Sequence, residues 1–311
     1  MNGSQLSMKA DTLAVVVLPE LGGKIASLRW LPRDVELLQS PLTDYTARDM
    51  TMGFEESDAS GWDECLPSVA ACSLRTPRGP VRVPDHGDFW RLPWSCEQTG
   101  NEIRMKATGA SLPLQMERRL SLRDDTLRVE YRVENISDQR IEYAWSAHPL
   151  FAVDPEDRVQ LPESVKTVRV EGSAGDRLGA KGTGHSWPRT KSAAGEAIDL
   201  SLAGRIGDGI GDKVFAQSPL EGWAAIVRPK RGVRIEVGFD PRQMPWLGLW
   251  LCYGGWPQGM ARRQQCVALE PCTAPMDSLA EAIEQRSARN LAPGKFDSWA
   301  MQVRVQAVAG S

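Results

Sequence analysis

The stretch Leu127-Arg128-Val129-Glu130-Tyr131-Arg132-Val133-Glu134 alternates apolar and charged residues without a break. A period of two places one set of side chains on each face of an extended strand, so this segment is a β-strand with one dry face and one wet face. Similar runs rich in β-branched and aromatic residues recur at 13–18, 24–30, 102–108, 114–122, 126–136 and 140–147. They continue through the second half at 213–217, 223–227, 233–239, 246–253, 265–270 and 299–307. Turn-forming residues separate them, as in Pro19-Glu20-Leu21-Gly22-Gly23. One segment carries a helical pattern: Asp277-Ser278 caps a predicted helix over 279–288, and Pro293-Gly294 breaks the chain beyond it. Many strands, few short helices and no βαβ alternation predict an all-β protein built as a large antiparallel β-sandwich.

With 311 residues, 41% of them hydrophobic and 25% charged, the chain can bury a substantial core. Strands lie on both sides of the Gly-, Ser- and Lys-rich stretch 172–211, which is therefore expected to be a surface excursion within one domain spanning 1–311. A net charge of -3 and a pI near 5.8 provide no field that gathers polyanions. The pairs Arg118-Arg119 and Arg262-Arg263 are short and read as solvated strand faces and turns, so no nucleic-acid partner is expected. The apolar run 13–18 is too short for a signal core or a membrane span, and the expectation is a cytoplasmic protein with no membrane association. Six cysteines without C-x-x-C spacing read as reduced, mostly buried thiols.

Histidine occurs only at 86, 148 and 185. His86 lies in the turn-like Pro84-Asp85-His86-Gly87-Asp88-Phe89-Trp90, where aromatic residues could line a ligand; a plain surface loop explains it equally well. His148 leaves the apolar run Ala144-Trp145-Ser146-Ala147 just before Pro149, at a place where strand ends form pocket rims; the plain alternative is a core histidine bonded to a backbone carbonyl. His185 sits in a Gly-rich loop and reads as solvated. Glu270 closes the apolar run Val267-Ala268-Leu269, so it must be hydrogen-bonded, paired or held neutral, and each of these suits a general base. Eleven tryptophans, several beside Gly, Pro or acidic residues as in Gly61-Trp62-Asp63-Glu64 and Gly254-Gly255-Trp256-Pro257, suit stacking on sugar rings, although core packing accounts for most of them as well.

Taken in order, five segments resemble the aldose 1-epimerase, or galactose mutarotase-like, family. They are Pro19-Glu20-Leu21-Gly22-Gly23-Lys24-Ile25; His86-Gly87 with Trp90 and Pro93-Trp94; Ser146-Ala147-His148-Pro149-Leu150-Phe151; Gly211-Asp212-Lys213-Val214-Phe215; and Ala268-Leu269-Glu270-Pro271. The resemblance spans roughly residues 13 to 305 and implies a galactose mutarotase-like supersandwich that interconverts the α and β anomers of a hexose or related aldose. It implies that His148 protonates the ring oxygen and that Glu270 takes the proton of the anomeric hydroxyl. It further implies that His86 bonds near the anomeric centre and that Asp212 holds ring hydroxyls, with Asp208 as a rival for that place. Opening a cyclic hemiacetal needs one acid and one base at the same ring and no metal or other cofactor. The expected partner is a small-molecule sugar; nothing in the sequence marks an oligomeric state.

In one place the chain departs from the resemblance. Where the family carries an Asn-Arg pair ahead of the first histidine, the sequence reads Gly61-Trp62-Asp63-Glu64-Cys65-Leu66-Pro67, flanked at a distance by Arg48 and Arg75. Trp62, Asp63, Glu64 and Trp90 are therefore candidate sugar-binding residues, and two carboxylates there would repel a phosphorylated sugar. Three other readings stand beside the epimerase. One is a non-catalytic carbohydrate-binding or sensor protein on the same sandwich. Another is a lyase or hydrolase drawing on Glu55-Glu56-Ser57-Asp58, which otherwise is a solvated loop. The last is a metal site made from Asp85, His86, Asp88 and His148.

Overall fold

The computed structural model describes residues 5–308. Two antiparallel sheets, of 11 and 8 strands, pack face to face around a common hydrophobic core, as the alternation requires. At the centre of the larger sheet the strands run, side by side, Trp62–Cys65, Ser146–Ala152, Gln265–Cys272, Trp246–Tyr253 and Ile210–Gln217. Leu247, Leu249, Leu251, Val267, Leu269 and Val214 turn inward from these strands. They meet Ile103, Leu120, Val129, Ile235 and Val303 of the smaller sheet. Because side chains alternate, the intervening residues of the same five strands project from the opposite face, and a second, smaller cluster of Leu150, Cys252, Cys266 and Ala268 gathers there.

The sandwich, its antiparallel pairing and most of the predicted strands agree with the sequence reading. The predicted helix is shorter than its pattern: it covers Leu279–Glu284, with Ser278 as N-cap, and Arg286 takes a left-handed φ of 56° that ends it. Within 172–211 the chain forms the short strands Gly184–Ser186, Arg189–Lys191 and Ala197–Asp199. The six cysteines are free, four of them buried.

Two turns, one ahead of the first strand of the central group and one between the first and the second, matter below. Phe54–Glu56 is a short 3-10 turn, and the 84–91 segment folds against it. A cluster of buried ions lies beneath both: Lys24 is 3.0 Å from Asp58 and 2.5 Å from Asp63, while Arg48 bonds Asp58 and lies 3.3 Å from Asp63. Burial opposes the charge on Asp58, but Lys24 and Arg48 outweigh it and hold the carboxyl well below the usual range.

Candidate active site

A cavity of about 380 Å³ opens on the outer face of the larger sheet, within the usual size range of small-molecule sites. His148, Glu270, Lys213 and Trp250 reach it from the sheet; Phe54 and His86 wall it from the two turns. Asp277, just ahead of the helix, and Trp256 complete the rim.

Strand pairing brings the two principal candidates together. Ser146 lies opposite Cys272 and Leu150 opposite Ala268, so His148 stands level with Glu270 on the neighbouring strand. Residues so placed have Cβ atoms roughly 5 Å apart and project from the same face. On the far side of Glu270 its register partner is Gly248. A methyl group there would lie 3.3 Å from both the Glu270 Cβ and Oε2, so the glycine leaves the carboxylate room.

Glu270 is fully buried, and its Oε2 accepts from Ser146 Oγ at 3.1 Å and from Lys213 Nζ. Its Oε1 is buried without a hydrogen-bond partner among the described residues. Lys213 also lies 3.7 Å from Asp277. Burial disfavours the ammonium, but Asp277 and Glu270 together more than compensate and keep Lys213 protonated. Asp277 is pushed up by burial, which Lys213 only partly offsets.

His86 owes its place to backbone geometry. It adopts a left-handed φ of 56° and is followed by Gly87 at 71°, where an added Cβ would come within 2.1 Å of the Leu66 carbonyl oxygen. The His86 amide donates to Val69 O at 2.6 Å, and the Asp88 amide to Leu66 O at 2.9 Å. Its ring stacks on Phe54 at 4.0 Å between centroids and 11° between planes, and its Nδ1 meets Asp85 Oδ2 at 2.9 Å. That carboxylate fixes one nitrogen and turns Nε2 the other way.

The His148 ring stands edge-on to Phe54 at 5.3 Å and to His86 at 5.1 Å. Its Nδ1 is buried without a hydrogen-bond partner among the described residues. Burial, and after it the neighbouring His86, Lys213 and Lys24, push its pKa well below the ordinary 6.5, so the ring is uncharged at neutral pH.

Of the sequence candidates, His86, His148 and Glu270 meet at the cavity. Trp62, Asp63, Glu64, Trp90, Asp212 and Asp208 do not, and each has a physical reason. Trp62 and Glu64 lie on the inward side of their strand. Trp62 packs in the main core. Glu64 bridges the sheets, accepting from Arg118 at 2.8 Å, Tyr131 at 2.9 Å and Trp145 at 3.0 Å. Asp63 faces outward but is consumed by Lys24 and Arg48, so the acidic pair cannot touch a ligand and has no bearing on phosphate. Trp90 lies behind Phe54, edge-on at 5.1 Å, with Nε1 donating to Asp85 O at 3.1 Å; it supports the wall without forming it. Asp212 points inward with Val214 and is held by Ser173 at 2.6 Å and by Arg177. Asp208 bonds the exposed Arg205 amide.

Two loop readings also change. Asp58 is a buried ion-pair partner and Glu55 reaches the cavity rim, so Glu55-Glu56-Ser57-Asp58 is not merely a solvated loop. Asp88 accepts from Ser111 at 2.8 Å, away from the histidines, which removes it from the Asp85, His86, Asp88 and His148 set. In its place Cys65 stands near His86 and His148, with one donor atom from each residue within 4.8 Å of the others.

Lys213, Asp277 and Cys65 were missed by sequence reasoning. A signal existed for two of them. If Val214 and Ala216 face the core, residue 213 must face outward and 212 inward. The same alternation sends Trp62 and Glu64 inward and Cys65 outward. Asp277 belongs to the predicted cap, but Ser278 alone caps the helix and Asp277 reaches the cavity.

No protein-family model matches the sequence, and no curated protein matches it. Solved structures do match in shape. A provisionally named aldose 1-epimerase from Escherichia coli K12 superposes with a TM-score of 0.72 at 17% identity, over 98% of this chain and 99% of that one. A galactose mutarotase-like protein from Lactobacillus casei gives 0.68 at 15% identity, over 97% and 100%. A galactose mutarotase related enzyme from Lactobacillus acidophilus gives 0.68 at 16%, over 98% of each. The chain therefore has the galactose mutarotase-like fold. Among its described residues no helix is long and apolar enough to cross a membrane.

Proposed function

We propose that this protein is an aldose 1-epimerase that interconverts the anomers of a hexose or related aldose by acid/base ring opening. One observation carries the proposal: His148 and Glu270, distant in sequence, stand level on adjacent strands at one cavity of about 380 Å³. Glu270 removes the proton from the O1 hydroxyl while the His148 imidazolium delivers one to O5, and the C1–O5 bond breaks to leave the open aldehyde. Rotation about C1–C2 and closure by the reverse transfers give the other anomer and restore both groups. His86 contributes a hydrogen bond near the anomeric centre through the nitrogen that Asp85 leaves free. Trp250 and Trp256 line the cavity and supply aromatic surface for the sugar ring. Lys213 is a positioning residue: by engaging Glu270 Oε2 it leaves Oε1 for the substrate.

The uncharged state of His148 favours a second reading, a carbohydrate-binding protein that does no chemistry. Polarimetry separates the two. Freshly dissolved α-D-glucose, α-D-galactose and a panel of other aldoses should reach rotational equilibrium faster with the protein than in buffer. If every sugar equilibrates at the buffer rate while calorimetry detects binding, the second reading replaces the first.

A further inference from the structure

We propose that Cys65, His86 and His148 form a binding site for a divalent cation of the zinc class at the base of the cavity. The three side chains come from separate parts of the fold: the Trp62–Cys65 strand, the turn at 84–91 and the Ser146–Ala152 strand. Each offers one donor atom, and the three lie within 4.8 Å of one another. Zinc–sulfur and zinc–nitrogen bonds of about 2.3 and 2.0 Å require donors about 3.5 Å apart, so a contraction of roughly 1 Å closes the set. One thiolate with two imidazoles is a borderline-soft donor set, which selects zinc-like ions over magnesium or calcium.

Two further observations point to a ligand. The Nδ1 of His148 is buried and has no hydrogen-bond partner among the described residues, an expense that an ion bound to this nitrogen removes. His86 has a carboxylate behind it, Asp85 at 2.9 Å, the arrangement that orients metal-ligating histidines and raises their donor strength. Asp63 and Glu270 lie near Cys65 but are already paired with Lys24, Arg48 and Lys213, so the donor atoms themselves must hold the ion.

On binding, the Cys65 S–H bond breaks, its proton passes to solvent, and a sulfur–metal bond forms; no electron changes hands. Three protein donors leave the fourth position open to the cavity, where water or a sugar hydroxyl binds. With the ion on one nitrogen and its proton on the other, His148 can no longer become an imidazolium, so the ion and the proton-transfer role exclude each other at this residue.

The test is independent of sugar turnover. Metal-free protein is titrated with Co²⁺ and followed in the near-ultraviolet and visible, then back-titrated with Zn²⁺. We expect one Co²⁺ per chain, a thiolate-to-cobalt charge-transfer band, tetrahedral d–d absorption, and loss of both on adding zinc. Cys65→Ser should remove the charge-transfer band and weaken Zn²⁺ binding at least tenfold; His86→Ala should weaken it comparably. Near-ultraviolet circular dichroism confirms that each variant is folded, and the wild-type cobalt spectrum needs no variant at all. Cobalt binding without a thiolate band, or no cobalt bound, overturns the proposal.

Discussion

Lys213 and Glu270 form an ion pair that water barely reaches, with Asp277 as a second acidic neighbour. Removing one partner of such a pair strands a buried charge and typically costs about 3 to 5 kcal/mol, whereas removing both costs much less. Lys213→Met should therefore lower the urea midpoint markedly, and Lys213→Met with Glu270→Gln should lose less than the sum of the single changes; additive losses would show the pair to be uncoupled. His148 makes a different prediction. Its proton affinity is depressed, so the imidazolium that donates to O5 becomes populated only as pH falls below 6.5. After subtraction of the buffer rate, kcat/KM should rise from pH 7 toward about pH 5; a flat profile would mean that the neutral ring does the work. Both groups were visible in the sequence to different degrees. His148 and Glu270 stood out as lone polar residues ending apolar runs, but Lys213 was masked by the acidic residue beside it. Only the inward orientation of Val214 reveals which of the two faces the cavity.

Strands were legible because alternation is a local property, and the positions of Leu13–Leu18, Lys24–Trp30 and Val233–Phe239 follow it closely. The helix ends early because Arg286 turns left-handed and the Ser287 amide returns to the Ala282 carbonyl, a closure that the apolar spacing does not mark. Turns were least legible, since their conformation depends on what they close against. The His86 turn illustrates this: Gly87 is required because the Leu66 carbonyl occupies the space a side chain would need. Gly87→Ala should destabilise the fold by roughly 3 kcal/mol and disturb sugar binding through His86, measurable as a lower urea midpoint and a raised KM. A variant with wild-type midpoint and KM would show that the turn can yield.

At the scale of the molecule, two polar clusters join elements that the hydrophobic core alone leaves undefined. Glu64 ties the larger sheet to Arg118 and Tyr131 of the smaller one, and the Lys24, Arg48, Asp58 and Asp63 cluster anchors the chain that carries Phe54 beneath the site. Neither cluster could be read from spacing, because its members converge only through tertiary packing. This also explains why Asp63 and Glu64 resembled ligand residues: buried ion-pair partners and sugar-binding carboxylates look alike in a sequence. Arg48→Met should cost about 3 kcal/mol by leaving two buried carboxylates to one lysine. The Asp58 carboxyl is held below its unfolded value of 3.8, so its contribution is complete above that pH and is lost progressively as the pH falls from there to the lower value it has in the fold. The urea midpoint should thus decline below about pH 4, less steeply in Asp58→Asn, and an unchanged slope would remove Asp58 from this role.

The pairing of His148 with Glu270 on one sugar is tested most directly by magnetisation transfer between the α- and β-anomeric protons of an equilibrated aldose on which the wild-type protein acts. We expect rapid exchange with the wild type and at least a hundredfold loss in each of Glu270→Gln and His148→Asn, with the double variant little worse than either, as for groups that act as a unit. Exchange at the wild-type rate in either folded single variant would contradict a shared acid/base role for these two residues.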